Sequence, residues 1–211
     1  MDIANIRKDY TLRALELDEV TDSPLEQFSL WLEEAITAKV NEPNAMNLAT
    51  INAQNRPSSR IVLLKGLDYG FIFYTNYNSQ KGQELQERPF AALNFFWPEL
   101  ERQVRIEGNV EKTSEADSDR YFHSRPVGSQ IGAWASPQSQ VIPSRFFLED
   151  REKEMTSRFQ NETLHRPPHW GGFRLIPTYF EFWQGRASRL HDRIVFERQT
   201  TEEWTRKILA P

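Results

Sequence analysis

Three potentially cationic side chains recur at every second position near the C-terminal end of the chain: Arg189, His191 and Arg193. Alternate side chains of a β-strand share a face, so this spacing predicts three such groups side by side. They would repel one another unless the strand is solvated or an anionic ligand binds to them. Phe182 and Trp183 lie just upstream and predict a buried aromatic strand that leads into the cations, which favours the ligand.

A second stretch has a cation at each end and only Ile, Val and Leu between them, from Arg60 to Lys65. This composition predicts a strand that is buried on both faces. Arg60 and Lys65 are five positions apart, so on a strand they point to opposite faces. An ordinary core strand whose long cationic side chains reach water at its ends remains the alternative.

A predicted strand leads directly into a predicted helix start in the second quarter of the chain. The strand includes Tyr74 and Thr75, a polar turn follows, and Ser79 is placed to begin a helix that contains Gln80 and Lys81. Free N–H groups at a helix N-terminus bind anions, and the ammonium group of Lys81 adds a charge. These residues suit a phosphate, although an ordinary helix cap would have the same sequence.

Tyr121, Arg125 and Ser129 are spaced four residues apart. A continuous helix would align them, but Pro126 makes that alignment unsafe, because the residue before proline avoids the helical region. Two hydroxyls and a guanidinium group would form a suitable cup for a phosphate. The alternative is a helix end with incidental polar groups.

Other polar residues do not stand out from their neighbours by pattern alone. Gln103 carries an amide that can pair with both an N–H and a C=O group of a ring edge. Gln138 and Ser139 lie in a predicted loop. Arg7 and Tyr10 are three residues apart and would share a face of a helix.

The elements that must position these residues are mostly short strands. Strands are predicted over residues 46–53, 58–67, 71–76, 90–97, 102–112, 173–183, 190–198 and 204–209. Helices are predicted over residues 1–15, 24–40, 79–87, 115–123 and 144–160, and Gly185 predicts a sharp turn. This pattern favours a mainly β fold, a closed or partly closed antiparallel β-barrel with peripheral helices. Residues 1–211 are expected to form a single domain with a helical N-terminal segment over about residues 1–22.

The composition argues against several classes of protein. A formal net charge of -4 provides no basic field for nucleic acid. The absence of cysteine excludes disulfides and thiolate metal sites, and four scattered histidines predict no metal site. No apolar run approaches the roughly 20 residues of a membrane span, and the first ten residues lack the apolar core of a signal peptide. We therefore expect a cytoplasmic protein with no membrane partner.

Six stretches resemble motifs of the pyridoxamine 5'-phosphate oxidases, a family of FMN enzymes. The C-terminal stretch resembles the family signature Glu-Phe-Trp-Gln, four residues, then Arg-Leu-His-Asp-Arg. The other matches are Arg-x-Val-Leu-Leu-Lys at 60–65, Tyr-Thr-Asn and Ser-Arg-Lys at 74–81, Glu-Arg-Gln-Val at 101–104, Tyr-Phe-x-Ser-Arg-Pro-x-x-Ser-Gln-Ile-Gly at 121–132 and Trp-x-Ser-x-Gln-Ser at 134–139. The chain departs from the family at Gln80, where the motif has arginine.

The resemblance implies an FMN-binding split barrel that forms a homodimer, with FMN between the subunits. It assigns the cofactor contacts to Arg60, Ile61, Val62, Leu63, Leu64, Lys65, Tyr74, Thr75, Gln80, Lys81, Gln103, Gln138, Ser139, Trp183 and Arg193. It assigns the substrate contacts to Arg7, Tyr10, Lys65, Tyr121, Arg125, Ser129, Arg189 and His191, of which Arg189 and His191 are the expected catalytic residues.

The implied activity is oxidation of pyridoxamine 5'-phosphate or pyridoxine 5'-phosphate to pyridoxal 5'-phosphate, with O2 reduced to hydrogen peroxide. Two alternatives remain open. Another split-barrel FMN protein, such as a reductase, would share the flavin-binding strand at 60–65. It would not need the second phosphate site that Tyr121, Arg125 and Ser129 would form. A non-enzymatic vitamin B6 phosphate-binding protein would share both sites.

Overall fold

The computed structural model describes residues 3, 5, 9–201 and 203–211 of the chain. The strands are β1 Ala45–Ile51, β2 Pro57–Leu63, β3 Gly66–Leu67, β4 Phe71–Asn76, β5 Phe90–Trp97, β6 Arg102–Lys112, β7 Trp170–Gln184, β8 Asp192–Arg198 and β9 Trp204–Ile208. The α-helices are α1 Pro24–Thr37, α2 Gln80–Glu87, α3 Glu115–Ser124, α4 Val127–Ala135 and α5 Arg145–Asn161. A short 3-10 helix, Ala187–Arg189, precedes β8.

These strands form one curled antiparallel sheet. Its main path runs β2-β1-β5-β6-β7-β4-β3, and β8 and β9 extend the sheet from β7. The long strands β6 and β7 pair with a register shift between Glu107 and Gly108, a bulge of the kind that bends a sheet. The predicted mainly β class with peripheral helices is confirmed.

Side chains alternate between two faces of this sheet. One row in direct register across five strands is completely buried: Leu48, Leu93, Ile106, Phe180 and Phe196. We call the side that carries this row the core face. The adjacent row lies on the opposite side, which we call the outer face: Asn47, Asn94, Arg105 and Glu181. Burial of each large apolar side chain contributes about 1.5–3 kcal/mol to the stability of the fold, so packing on the core face stabilises the curled sheet.

Helix α1 packs its predicted aromatic side against the core face. The Phe28 ring contacts Phe71 at a centroid distance of 4.8 Å, and Trp31 contacts Phe182 at 5.2 Å. Ser23 caps this helix by accepting a hydrogen bond from the Glu26 N–H at 3.3 Å. The helix begins at the predicted residue, Pro24.

The structure differs from several of the predicted elements. Residues 9–22 contain no helix, so the predicted helical segment is wrong in its described part, and its earlier residues lie mostly outside the described residues. Helix α4 was not predicted. The predicted strand over 58–67 is interrupted after Leu63 and resumes as the two-residue β3.

Within the described ranges, no helix combines the length and the apolar character that crossing a membrane requires.

Candidate active site

A cluster of polar groups lies between β1, β2 and the first turn of α2. The Arg60 guanidinium group donates to Thr50 Oγ1 at 2.5 Å, to Ser58 Oγ at 2.5 Å and to Glu84 Oε2 at 3.0 Å. Gln80 Nε2 donates to the other Glu84 oxygen at 2.9 Å. Arg60 and Gln80, both predicted cofactor residues, are therefore linked through the buried carboxylate of Glu84.

Lys81 lies in the next position of α2 and is buried. Its Nζ lies 3.4 Å from Thr75 Oγ1, and among the described residues no carboxylate lies within ion-pair distance of it. Burial lowers the pKa of Lys81, and the nearby Arg60 charge lowers it further. An ammonium group placed here without an ion-pair partner is suited to receiving an anion.

The end of β4 joins this region to the loop that follows α4. Gln138 Oε1 accepts hydrogen bonds from Thr75 Oγ1 and from the Asn76 N–H, each at 3.3 Å. Ser139 has a positive φ of 69°, so the chain turns sharply after Gln138. The structure thus brings Thr75 and Lys81 of one motif together with Gln138 of another.

A second cluster surrounds the turn between α3 and α4. The Tyr121 ring stacks on Tyr74 at 3.9 Å, and the Arg125 guanidinium group lies 4.6 Å from the Trp170 ring centroid. Arg125 Nη1 is buried and has no hydrogen-bond partner in the described structure. Burial lowers the pKa of Arg125. Ser129 lies in the first turn of α4, whose Pro126 cap makes no side-chain hydrogen bond.

A third cluster joins the N-terminal segment to the C-terminal signature. The His191 ring lies 4.6 Å from Trp183 and 5.8 Å from Tyr10. His191 Nδ1 accepts a hydrogen bond from the Arg186 N–H at 3.1 Å, so the neutral ring carries its proton on Nε2. Burial lowers the pKa of His191, and the Arg189 charge lowers it further.

The predicted alternation of Arg189, His191 and Arg193 along one strand is wrong. Strand β8 begins only at Asp192, and Arg189 is the last residue of the 3-10 helix. Leu190 and His191 lie between these two elements. Ser188 and Arg189 have positive φ values of 57° and 63°, which no strand allows. Only Arg193 therefore has its side chain placed by the sheet.

Gln103, Trp183 and Arg193 form a row across β6, β7 and β8 on the outer face. Arg193 Nε donates to Glu181 Oε1 at 2.8 Å, and this hydrogen bond raises the pKa of Arg193. Glu181 Oε2 also pairs with Arg105 Nη2 at 3.2 Å. Three residues predicted to contact the flavin, from two separate motifs, thus lie side by side.

The stretch from Arg60 to Lys65 departs from its prediction. It was expected to be buried on both faces, but β2 is an edge strand and Ile61 is 64% exposed. Val62 and Leu63 are half-buried, and only Leu64 is buried. Lys65 lies beyond the end of β2 and is exposed.

Gly185 has a role other than the predicted turn. Its φ is not positive, but a Cβ atom added there would lie 2.7 Å from Tyr10 Cγ. The missing side chain therefore lets Tyr10 pack on the end of β7.

Two carboxylates bind the backbone of the N-terminal segment that contains Tyr10. Glu101 accepts from the Thr11 N–H at 2.8 Å, and Asp192 accepts from the Leu15 N–H at 2.9 Å. Arg7, the other predicted substrate residue of this segment, lies outside the described residues.

The predicted cofactor residues divide between the two faces of the sheet. Arg60 is in register with Leu48 of the buried row and so belongs to the core face, where it meets α2. The row that contains Gln103, Trp183 and Arg193 lies on the outer face, three to five strands away from β2. The sheet itself therefore lies between the two groups within one chain.

Sequence reasoning missed several residues of these clusters. Glu84 and Thr50 pair with Arg60, Trp170 packs on Tyr74 and Arg125, and Glu181 pairs with Arg193. Glu84 had a usable signal, because it lies four residues after Gln80 and therefore on the same side of α2. Trp170 contacts a strand that is distant in sequence, and the contacts of Thr50 and Glu181 depend on the register between neighbouring strands.

Two family models match the chain. One, described as pyridoxamine 5'-phosphate oxidase, covers residues 32–158, and the other, described as the pyridoxine 5'-phosphate oxidase C-terminal dimerisation region, covers residues 170–211. A relative from Burkholderia thailandensis named pyridoxine/pyridoxamine 5'-phosphate oxidase is 56% identical over 212 residues, with 99% of each chain covered.

Two solved structures are among those to which the chain is similar. PhzG from Burkholderia lata 383, in complex with tetrahydrophenazine-1-carboxylic acid, is 32% identical with a TM-score of 0.89, covering 97% of this chain and 100% of that one. A pyridoxamine 5'-phosphate oxidase-related, FMN binding protein from Nostoc punctiforme is 16% identical with a TM-score of 0.71, covering 91% and 100%. The second match shows the shared split-barrel fold alone.

Proposed function

The chain belongs to the pyridoxamine 5'-phosphate oxidase family, and on that premise we propose that it is an FMN-dependent oxidase. In this proposal it converts pyridoxamine 5'-phosphate and pyridoxine 5'-phosphate to pyridoxal 5'-phosphate and reduces O2 to hydrogen peroxide. The observation that carries the proposal is the presence of two separate places for a phosphate. Lys81 marks one and Arg125 marks the other.

The residues present fit two phosphorylated ligands. Lys81 is buried without a carboxylate partner among the described residues, and the nearby Thr75 and Gln138 add polar groups. Arg125 carries a buried nitrogen with no hydrogen-bond partner, and the Tyr121 hydroxyl belongs to the same cluster. Buried donors of this kind are costly unless a ligand satisfies them. We assign the first site to the FMN phosphate and the second to the substrate phosphate.

The chain's own residues would bind and orient two flat rings. Bound FMN would supply the hydride acceptor for oxidation of the substrate C4' carbon. Trp183 offers an aromatic surface, and Gln103 offers an amide that can pair with a ring edge. His191 holds its proton on Nε2 and presents a donor on the substrate side, while Arg189 supplies a guanidinium group in the same turn. Positioning of this kind accounts for much of the rate enhancement in such a reaction.

We further propose a homodimer in which each FMN site uses residues of both chains. Residues 170–211 match a family dimerisation region, and they include Trp183 and Arg193. Because these two residues lie on the outer face and Arg60 lies on the core face, one chain does not present both groups to one ligand. We call the group of Arg60, Gln80, Lys81 and Glu84 the phosphate cluster. A second copy would place its outer face against the phosphate cluster of the first. The proposal also includes the expected cytoplasmic location.

A second candidate function is oxidation of a reduced heteroaromatic acid. It is favoured by the 32% identical PhzG structure, which holds tetrahydrophenazine-1-carboxylic acid. That ligand carries a carboxylate and no phosphate, so it would leave the buried Arg125 nitrogen with a smaller, less charged partner. The unpartnered arginine therefore favours the phosphorylated substrate.

The test is turnover by the purified, flavin-loaded protein with each candidate substrate. We expect pyridoxamine 5'-phosphate to yield pyridoxal 5'-phosphate and hydrogen peroxide in equal amounts. Arg125→Ala should raise KM for this substrate by more than it raises KM for tetrahydrophenazine-1-carboxylic acid, whose carboxylate carries less charge than a phosphate. Turnover of only the phenazine acid would establish the second candidate. Binding of the B6 phosphates without flavin reduction would instead indicate a vitamin B6 phosphate-binding protein.

A further inference from the structure

The phosphate cluster on α2 contains a negatively charged residue. The Glu84 side chain is only 5% exposed and accepts hydrogen bonds from Thr50 Oγ1 at 2.5 Å, Gln80 Nε2 at 2.9 Å and Arg60 Nη2 at 3.0 Å. Burial by itself raises the pKa of Glu84, but these hydrogen bonds and the Arg60 charge outweigh burial and leave its pKa lowered. The carboxylate is therefore ionised at neutral pH.

This carboxylate changes the electrostatics that an incoming phosphate would meet. The cluster holds two cations, Arg60 and Lys81, and Glu84 cancels one of their charges. The family motif would add a third cation at position 80, where this chain has the neutral Gln80. A flavin phosphate carries nearly two negative charges at neutral pH, so the cluster alone compensates it only partly.

Arg60 does not need Glu84 to satisfy its hydrogen bonds. Its Nη1 also donates to the Leu48 carbonyl oxygen at 3.3 Å and to Thr50 Oγ1, and its Nη2 donates to Ser58 Oγ. Neutralising Glu84 would leave the guanidinium group bonded to three neutral acceptors, all of which are weaker partners than a carboxylate or a phosphate. Arg60 would then be available to a phosphate.

We propose that Glu84 is a positioning residue that occupies Arg60 in place of the flavin phosphate, so that FMN binds in competition with this internal carboxylate. The inference rests on the proposed function, because it takes FMN as the ligand of this cluster. Its consequence is that the chain binds FMN more weakly than its cations would allow. The charge of Glu84, rather than its shape, sets the size of this effect.

The test measures cofactor affinity and does not depend on turnover. Flavin-free wild-type protein and Glu84→Gln, which keeps the side-chain shape, are titrated with FMN and with riboflavin, followed by flavin fluorescence at low and high salt. We expect Glu84→Gln to lower the Kd of FMN about tenfold at low salt and by less at high salt, because salt screens charge. The Kd of riboflavin, which lacks the phosphate, should not change.

Glu87→Gln is the matched control. Glu87 lies one turn along the same helix, its side chain is 57% exposed, and it pairs with Arg88. The same change of charge at this solvated position should alter the Kd of FMN by less than about twofold. Glu84→Asp, which keeps the charge, should not tighten FMN binding.

The remaining outcomes overturn the inference. An unchanged or higher Kd of FMN in Glu84→Gln would show that the carboxylate does not compete with the phosphate. Weaker binding of FMN and riboflavin together, or failure of Glu84→Gln to fold, would show that Glu84 serves the fold instead. If wild-type protein bound neither flavin, the proposed function would fail before Glu84 was tested, which separates the two failures.

Discussion

The pKa of His191 differs between the folded and the unfolded chain, so this residue links stability to pH. Its folded pKa lies below the ordinary value of 6.5 because the ring is partly buried and Arg189 is near. The folded chain therefore binds this proton at lower pH than the unfolded chain does. His191 thus stabilises the fold fully above about pH 6.5, and this contribution is lost as the pH falls through the folded pKa.

We predict that Arg189→Ala raises the pKa of His191, since it removes a nearby positive charge. Titration of the four histidine ring resonances by NMR measures this, with the His191 signal assigned from its absence in His191→Gln. Arg145→Ala on α5 is the control and should leave the His191 titration unchanged. A His191 midpoint that did not move in Arg189→Ala would show that the two side chains are not close in solution.

Arg189 and Arg193 should separate substrate binding from cofactor binding. Arg193 lies in a row with Gln103 and Trp183, so Arg193→Ala should loosen FMN first. Arg189 lies in a left-handed turn beside His191, so Arg189→Ala should lower kcat/KM by about tenfold or more and spare FMN affinity. Arg189→Lys should restore little, because an ammonium group cannot fork or stack as a guanidinium group does. Equal loss of FMN in both alanine variants would refute the assignment.

The one departure from the family motif also makes a prediction. Gln80 is exposed at the start of α2, and its amide already contacts Glu84 and Ser58. Gln80→Arg should tighten FMN binding, more at low salt than at high salt, because it adds a cation and draws Glu84 away from Arg60. Gln83→Arg, an exposed change of equal charge on the same helix, should have a much smaller effect. Equal effects of the two variants would mean that position 80 does not face the phosphate.

At the scale of elements, local signals in the sequence predicted most of the fold. Ser79 and Ser114 cap α2 and α3 by accepting from Gly82 N–H and Asp117 N–H, and both helices begin within one residue of their predicted starts. Strands β4, β5 and β6 begin and end at the predicted residues. Apolar and polar residues alternate clearly in these strands because their core face is buried. Such alternation with a period of two can be recognised in the sequence itself.

Helix α4 and the turn before β8 were missed for different physical reasons. Two glycines and Pro126 made the α4 region resemble a loop, although Val127, Ile131 and Ala135 recur at helical spacing. The turn at Ser188 and Arg189 uses left-handed backbone conformations at residues other than glycine. Such conformations are imposed by the surrounding contacts, so the sequence carries no local signal for them.

The packing of the N-terminal segment on Gly185 gives a prediction at this scale. Gly185→Ala would place a Cβ atom 2.7 Å from Tyr10 Cγ, so the segment must shift. We expect higher KM for the substrate and faster proteolysis before Leu15, with little change in FMN affinity. Gly132→Ala, where an added Cβ meets nothing within 4 Å, is the control and should leave all three measurements unchanged. Unaltered proteolysis of Gly185→Ala would show that the segment does not depend on this contact.

In the whole molecule, the two faces of the sheet determine which site residues can meet at one ligand, and sequence motifs alone do not give this. Each motif was recognisable, yet only the register shows that Arg60 belongs to the core face and Arg193 to the outer face. Ile61 and Phe96, also on the outer face, are more than half exposed in one chain. A partner that covers this face would bury them and complete the site, which is the geometric basis of the proposed shared homodimer.

A mixing experiment tests whether two chains share each site. Lys81→Met removes a cation from the phosphate cluster with little change of volume, and Arg193→Ala alters the outer face. Each variant alone should bind FMN poorly. In dimers formed from equal amounts of both variants, half are mixed, and each mixed dimer has one site with both residues intact. About one quarter of the sites should therefore bind FMN with wild-type affinity.

Mixing Lys81→Met with Arg60→Ala is the control and should restore none, because both residues come from the same chain's phosphate cluster. If the first mixture also restored none, although mixed dimers were shown to form, each site would have to be built from a single chain.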